Sequence, residues 1–251
     1  MILTLVGPLS SLLLYLMSRF STPNCQNCPH QKTPLISCCS HDELDLLSTQ
    51  KSTQVYQKGQ TVYQQGNKVL GLHCVHQGKI KLTRVGGDQR EHIVHLVRPG
   101  ELIGCRPLLA GSLYTTSAVA LEDCVVCFVP RLDFIGLLQA NKQFSNAMLH
   151  LLADALGQAE DQLLHLAYKP VRERLAGALV ALQHTYGSAE TNEPFSIALS
   201  REDVAALVGT AKETVSRLLT EFKAAGYIAT RGSRITVLNQ AQLRKISTRY
   251  D

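Results

Sequence analysis

Residues 199–226 read LSREDVAALVGTAKETVSRLLTEFKAAG, and this stretch decides the fold of the C-terminal part of the chain. Ser200 is a good helix N-cap, and Asp203, three residues on, approximates a capping box. Val204, Leu207 and Val208 then share one face at helical spacing. Gly209 interrupts the pattern and supplies the backbone freedom of a tight turn. A second helical pattern follows, with Val215, Leu218, Leu219 and Phe222 inward and Lys212, Glu213, Ser216 and Arg217 outward. Two short helices about a glycine-containing turn are the arrangement that lays the second helix in a DNA major groove.

The outward face suits base reading. Arg217 carries the donor fork that meets guanine O6 and N7, and Glu213 can accept from cytosine N4. Ser216 and Lys212 suit a base edge or a phosphate, and Thr210 and Thr214 complete the candidate DNA-contacting set. Solvation is the ordinary fate of such a charged face, but the next segment, GYIATRGSRITVLN at 226–239, argues for more. There Gly226 stops the helix, and two short β-patterns flank a turn at Gly232 and Ser233, as in a β-wing. Charge agrees: residues 201–249 hold nine Lys/Arg against four Asp/Glu, a surplus equal to the whole chain's +5. A polyanionic partner at this end fits that surplus.

Residues 199–238 resemble the C-terminal winged helix of the CRP/FNR transcription regulators, and the E-x-x-S-R run at Glu213, Ser216 and Arg217 resembles the FNR-type recognition helix. The resemblance runs from about His41 to the C-terminus, with KGQ (58–60), GKIKL (78–82), PGELIG (99–104) and ALEDCVVCFVP (120–130) as landmarks. It implies an α+β chain: an N-terminal cyclic-nucleotide-binding-like β-roll, a long dimerisation helix and a C-terminal winged helix-turn-helix. The boundaries expected are a leader and cysteine-containing arm at 1–40, the roll at 41–140, the helix at 141–169 and the DNA-binding domain at 170–251.

The residues support that division independently. A chain of 251 residues, 45% hydrophobic, is long enough for two cores. From about Lys51, short alternating stretches at 61–63, 71–75, 79–83 and 92–97 fall between glycines, and strands continue through 117–129, the signature of a roll or barrel. Then Leu149, Leu152, Leu156, Ala159, Leu163 and Leu166 alternate steps of three and four, a seam of about three heptads suited to self-association. Pro170 ends that helix, a further helix spans residues 171–184, and a loop at 187–194 precedes the opening stretch. Two identical reading heads would meet paired half-sites about one helical turn apart, here expected to be a palindromic TTGA-like sequence from the FNR-like helix. Double-stranded DNA, a second copy of the chain and RNA polymerase are the partners this implies.

In the cyclic-nucleotide branch of the family, a Gly-Glu pair holds the ribose and a downstream Arg-Ser pair holds the phosphate. Gly100 and Glu101 offer the first pair, Tyr114 stands where the phosphate arginine would fall, and Arg106 is nearby but differently placed. Gly100, Glu101, Arg106, Tyr114 and Thr115 therefore form the candidate effector pocket. A phosphate buried without its charged clamp is costly, which argues against cyclic AMP.

Eight cysteines occur, at 25, 28, 38, 39, 74, 105, 124 and 127. In FNR, three cysteines on an N-terminal arm and one in the sensor domain hold a [4Fe–4S] cluster. The resemblance places Cys25 and Cys28 on that arm, Cys127 at the sensor-domain position, and Cys38 or Cys39 as the third arm ligand, giving Cys25, Cys28, Cys38 and Cys127 as the candidate metal set. Nine residues separate Cys28 from Cys38, wider than the FNR spacing, although added loop length costs little entropy. Thiolates equally suit zinc, and an absence of any metal is the remaining alternative. Cys74, Cys105 and Cys124 read as small buried hydrophobes. Haem is disfavoured, because His73 and His76, like His92 and His95, are three apart on strands and point to opposite faces.

No nucleophile–base pair or nucleotide-binding motif points to an enzyme. The competing class is a sensor module working through protein partners, which leaves the basic wing and second helix unexplained. The first sixteen residues, MILTLVGPLSSLLLYL, are apolar and uncharged but short of a ~20-residue span and lack the positive charge that precedes a secretory core. Met17 opens a plausible alternative start, so the expectation is a cytoplasmic protein without stable membrane association.

Overall fold

The computed structural model describes residues 23–87, 90–187 and 194–248. The apolar leader, part of the 187–194 loop and Arg249 lie outside them. No helix among the described residues is long and apolar enough to cross a membrane.

The arm from Pro23 runs through turns and a 3-10 turn at Ile36–Cys38 into helix α1 (His41–Gln50). Ser40 caps α1 with a full capping box: its hydroxyl accepts from the Glu43 N–H while the Glu43 carboxylate accepts from the Ser40 N–H. The Glu43 carboxyl is held below its usual range by that backbone bond, and the Asn141 amide reinforces the effect.

Eight strands follow in two antiparallel four-stranded sheets. One has the order β1 (Ser52–Tyr56), β8 (Cys124–Pro130), β3 (Gly71–Gln77), β6 (Leu102–Ile103). The other has β2 (Thr61–Tyr63), β7 (Ser117–Ala120), β4 (Ile80–Val85), β5 (Glu91–Val97). The turn glycines do specific work: Gly78 adopts φ +91°, and a Cβ there would come within 2.5 Å of the Cys124 sulfur. Val75, Ile80, Val97, Ala118 and Val126 fill the interior of the roll. A short helix α2 (Cys105–Leu109) crosses between β6 and β7.

Helix α3 (Arg131–Ala140) leads into α4 (Lys142–Tyr168), whose N-cap Asn141 accepts from the Phe144 N–H. Phe144 and Met148 of α4 sink into the roll core, and Leu151 and Leu152 half-cover it. Beyond them α4 leaves the roll, and every residue from 153 to 168 is exposed. Pro170 separates it from α5 (Val171–Tyr186).

The second core is formed by α5, α6 (Arg201–Val208), α7 (Lys212–Ala224), a three-stranded sheet and α8 (Gln240–Ser247). The sheet runs β10 (Ile228–Arg231), β11 (Arg234–Val237), β9 (Ser196–Ala198). The hairpin turn at Gly232 takes φ +59°, as a wing turn requires. Strand β9 and helix α8 add to the elements expected from the sequence. The first is only three residues long; the second is carried by the Asn239 cap and buried Leu243, with Ile246 packed beside the core.

Candidate nucleic-acid interface

Helix α7 is positioned by its apolar side. Val215, Leu218, Leu219 and Phe222 are buried against α5, α6 and the wing sheet, so the opposite face has to point outward. Helix α6 orients it: Ser200 caps α6 through the Asp203 N–H at 2.9 Å, and Gly209 ends it in the left-handed conformation at φ +65°. Arg174 of α5 pins that turn by donating to the carbonyls of Val208 at 2.9 Å, Gly209 at 3.2 Å and Lys169 at 2.8 Å.

Lys212, Glu213 and Arg217 are exposed, while Thr210, Thr214 and Ser216 are half-buried along the same side. Arg217 donates to Glu221 one turn on at 2.7 Å, and Lys212 pairs with Glu202 of α6. Such exposed pairs hold their side chains weakly, so exchanging them for DNA groups sacrifices little. Arg231 and Arg234 of the wing add positive charge beside the helix, and Arg201 at the start of α6 donates to the Gly232 carbonyl at 3.5 Å.

The reading head also touches the roll of its own chain. Lys81 on β4 donates to Asp203 on α6 at 2.7 Å, and the Tyr186 hydroxyl donates to the Val97 carbonyl at 3.1 Å. Burial pushes the Asp203 carboxyl up, but the Lys81 and Ser200 hydrogen bonds outweigh it and leave the group below its usual range.

Of the five effector candidates, Arg106, Tyr114 and Thr115 come together, and Gly100 and Glu101 lie apart from them. Arg106, at the start of α2, donates to the Thr115 hydroxyl, and Tyr114 stacks on Tyr63 with ring centroids 3.9 Å apart. Gly100 instead lies against the arm, where a Cβ would come within 3.1 Å of the His30 ring. Glu101 accepts from His95 at 3.2 Å and from Arg98 Nε at 3.0 Å. Its carboxyl, raised by burial, is brought below the usual range by His95, by the Arg98 N–H that donates to it at 3.1 Å and by the Arg98 charge. The glycine that does approach Tyr114 is Gly104, with φ +87°, and the residue after it is Cys105, which offers no carboxylate for a ribose.

Three of the four candidate metal ligands lie at one end of the arm. Lys51 donates to Cys25 Sγ at 3.2 Å, Cys28 Sγ lies 3.7 Å from His76 Nδ1, and Cys127 Sγ lies 3.8 Å from the Thr53 hydroxyl. Cys38 is turned away into its own chain: its thiol donates to the Pro34 carbonyl at 3.0 Å and its carbonyl accepts from Asn141 at 2.9 Å. Cys39 likewise donates to the Leu35 carbonyl, and burial pushes its thiol up to about 12. Among the described residues, no three His, Cys, Asp or Glu side chains converge closely enough to hold a single metal ion. That spacing does not fit tetrahedral zinc as the side chains stand, since four sulfurs must all lie ~2.3 Å from one point. A polynuclear iron–sulfur centre, whose thiolates bind different irons, sets no such single-point requirement. His73 and His76 have separate surroundings, the first between the Tyr63 and Phe128 rings and the second beside Cys28 and His30, so they share no ligand position.

A β-roll joined by one long helix to a winged helix-turn-helix defines a sensor-coupled DNA-binding regulator. Family profiles agree: a cyclic nucleotide-binding domain matches residues 53–141 and a Crp-like helix-turn-helix domain residues 173–246. The chain is 30% identical over 219 residues to the transcriptional activator protein FnrL of Cereibacter sphaeroides, covering 85% of this chain and 87% of that one. It is also 30% identical over 215 residues to the cyclic AMP receptor protein of Thermus thermophilus, covering 86% and 97%. FixK2 from Bradyrhizobium japonicum superposes with a TM-score of 0.69 at 25% identity, over 78% of this chain and 96% of that one. The chain belongs to the CRP/FNR family of transcription regulators.

Proposed function

We propose that this regulator reads a TTGA-type inverted repeat as a homodimer, with Glu213, Ser216 and Arg217 on base edges and Lys212, Thr210 and Thr214 beside them. The observation that carries this reading is helix α7: one face wholly consumed by its own domain, the other polar, exposed and next to a basic wing. Pairing through α4 is supported by Leu149, Leu156 and Leu163, which recur every seventh residue at 65%, 62% and 69% exposure. A leucine stripe this open in one copy of the chain is what a second copy covers.

The input is a thiolate-held redox centre on the N-terminal arm. If an iron–sulfur centre is bound there, it supplies a charge and ligation state that changes with oxidation. The chain's own residues convert that into geometry: the arm packs through His30 on Gly100, between β5 and β6, and β5 leads to Val97, which Tyr186 of the DNA-binding domain contacts. RNA polymerase is the natural downstream partner, in keeping with FnrL being a transcriptional activator. A cytoplasmic location follows from that role. Cyclic AMP is the second reading, favoured by the domain profile and by the receptor named above. Tyr114 stacked on Tyr63 and the carboxylate-free Cys105 stand against it. Cyclic AMP is therefore expected to leave the thermal transition of the protein unmoved.

The test is fluorescence anisotropy at fixed salt with a TTGA inverted repeat and a scrambled duplex. The expected preference for the repeat is ~10³-fold or more. Glu213→Ala should narrow that ratio by about 5- to 150-fold, the equivalent of ~1–3 kcal/mol of base discrimination. Lys223→Ala, exposed on the same helix, should weaken both duplexes alike. Equal behaviour of the two variants would refute the assignment of the reading face.

A further inference from the structure

We infer that Cys74, on β3, is the thiol that joins Cys25, Cys28 and Cys127 around one iron–sulfur centre, and that Cys38 and Cys39 take no part. The inference rests on the redox-centre reading above and sharpens it to a ligand set.

The argument begins with strand register. In the β1-β8-β3 sheet, Thr53, Cys127 and Cys74 are directly opposite one another, Thr53 with Cys127 and Cys127 with Cys74. Directly opposed residues on antiparallel strands project to the same side, with Cβ atoms ~4.5–5.5 Å apart. The alternating neighbours Val126 and Val75, themselves opposed, belong to the interior of the roll. Cys127 and Cys74 therefore share the opposite face of the sheet. The contact of the Thr53 hydroxyl with Cys127 Sγ confirms that the row is side by side.

The arm lies across this row. Cys25 meets Lys51, two residues before Thr53, and Cys28 meets His76, two residues after Cys74. The Cys25–Cys28 turn is closed by its own backbone bond, Cys28 N–H to the Cys25 carbonyl at 3.4 Å. His30 extends the contact by bonding the His76 carbonyl at 2.8 Å and packing edge-on against the His76 ring. The C-x-x-C turn is thus fastened on both sides of the Cys127–Cys74 pair, by one contact beyond each end. Burial pushes the Cys74 thiol up to about 12, as it does that of Cys39; Cys127, Cys28 and Cys25 beside Cys74 add to the rise and Lys51 opposes it.

Cys38 and Cys39 are committed elsewhere, each to a carbonyl one turn back in its own chain, at the side where α1 meets the N-cap of α4. Recruiting either would require unwinding the Ile36–Cys38 turn. Cys74 requires no such movement. Each thiol that ligates iron gives up its proton to solvent, and the Lys51 ammonium beside Cys25 offsets part of the negative charge that remains.

The experiment uses the full-length chain, reconstituted anaerobically with ferrous iron and sulfide, with iron and sulfide per chain and the visible absorption spectrum as readouts. The wild type should load. Cys74→Ser and Cys127→Ser should fall to background, and the double variant Cys38→Ser/Cys39→Ser should load to the wild-type level. Far-UV circular dichroism checks that Cys74→Ser is folded. Should it not be, the double variant decides alone, once the same spectrum shows it folded, because both its thiols pack half-buried against the roll core. Loss of iron from the double variant, or full loading of folded Cys74→Ser, overturns the ligand set while leaving the redox-centre reading intact. A wild type that binds no iron overturns both.

Discussion

Helices α7 and α4 carry the same kind of sequence signal and meet different fates. Both have an apolar stripe at three-and-four spacing. In α7 the stripe ends in Phe222, which is 0% exposed within its own domain. In α4 only the first two turns do this, through Phe144 and Met148; the residues from 153 to 168 are all exposed, and at the end of the stripe Leu166 lies beside the Gly209 turn. An amphipathic pattern therefore states that a face will be buried, and not by what. A stripe satisfied within the chain builds a domain, and one left over builds an assembly.

That contrast can be broken by substitution. The largest effect is expected from Leu156→Asp. It removes two leucines from a symmetric seam, about 3–6 kcal/mol, so the dimer dissociation constant should rise by roughly 10²–10⁴-fold in analytical ultracentrifugation. The thermal transition of the monomeric fold should barely move, because Leu156 touches no core in the single chain. Phe222→Ala should do the reverse, costing ~3–5 kcal/mol of stability in denaturant titration of the DNA-binding domain while leaving the α4 pairing in place. If Leu156→Asp unfolds the protein, or Phe222→Ala shifts the dimer equilibrium instead, the distinction between the two stripes is wrong. Ser200→Ala should have the smallest effect, about 1 kcal/mol from the lost cap on α6, seen as a lowered denaturation midpoint.

The same reasoning explains which features were legible in advance. The helix-turn-helix and wing could be read because each decision there is local: Ser200 caps, Gly209 and Gly232 turn, and the apolar face repeats within thirteen residues. The heptad stripe of α4 was legible for the same reason. The arm and the roll were harder because their chemistry depends on long-range register. Cys25 and Cys28 stand out as C-x-x-C, but Cys74 looks like any small residue in a strand until β3 is paired with β8. The effector candidates divide for the same reason. Gly100 and Glu101 lie at a turn that faces the arm and β5, while Arg106 and Thr115 meet beyond α2.

The central claim is that two copies of one reading head, joined along α4, grip a symmetric duplex. Stoichiometry tests it most directly: sedimentation of the protein with a fluorescent duplex carrying either the full inverted repeat or one half-site. The account predicts two chains per full repeat, with the half-site bound ~10²-fold or more weakly at the same salt, since linkage of the heads makes the second contact intramolecular. One chain per duplex, with equal affinity for the repeat and the half-site, would contradict it.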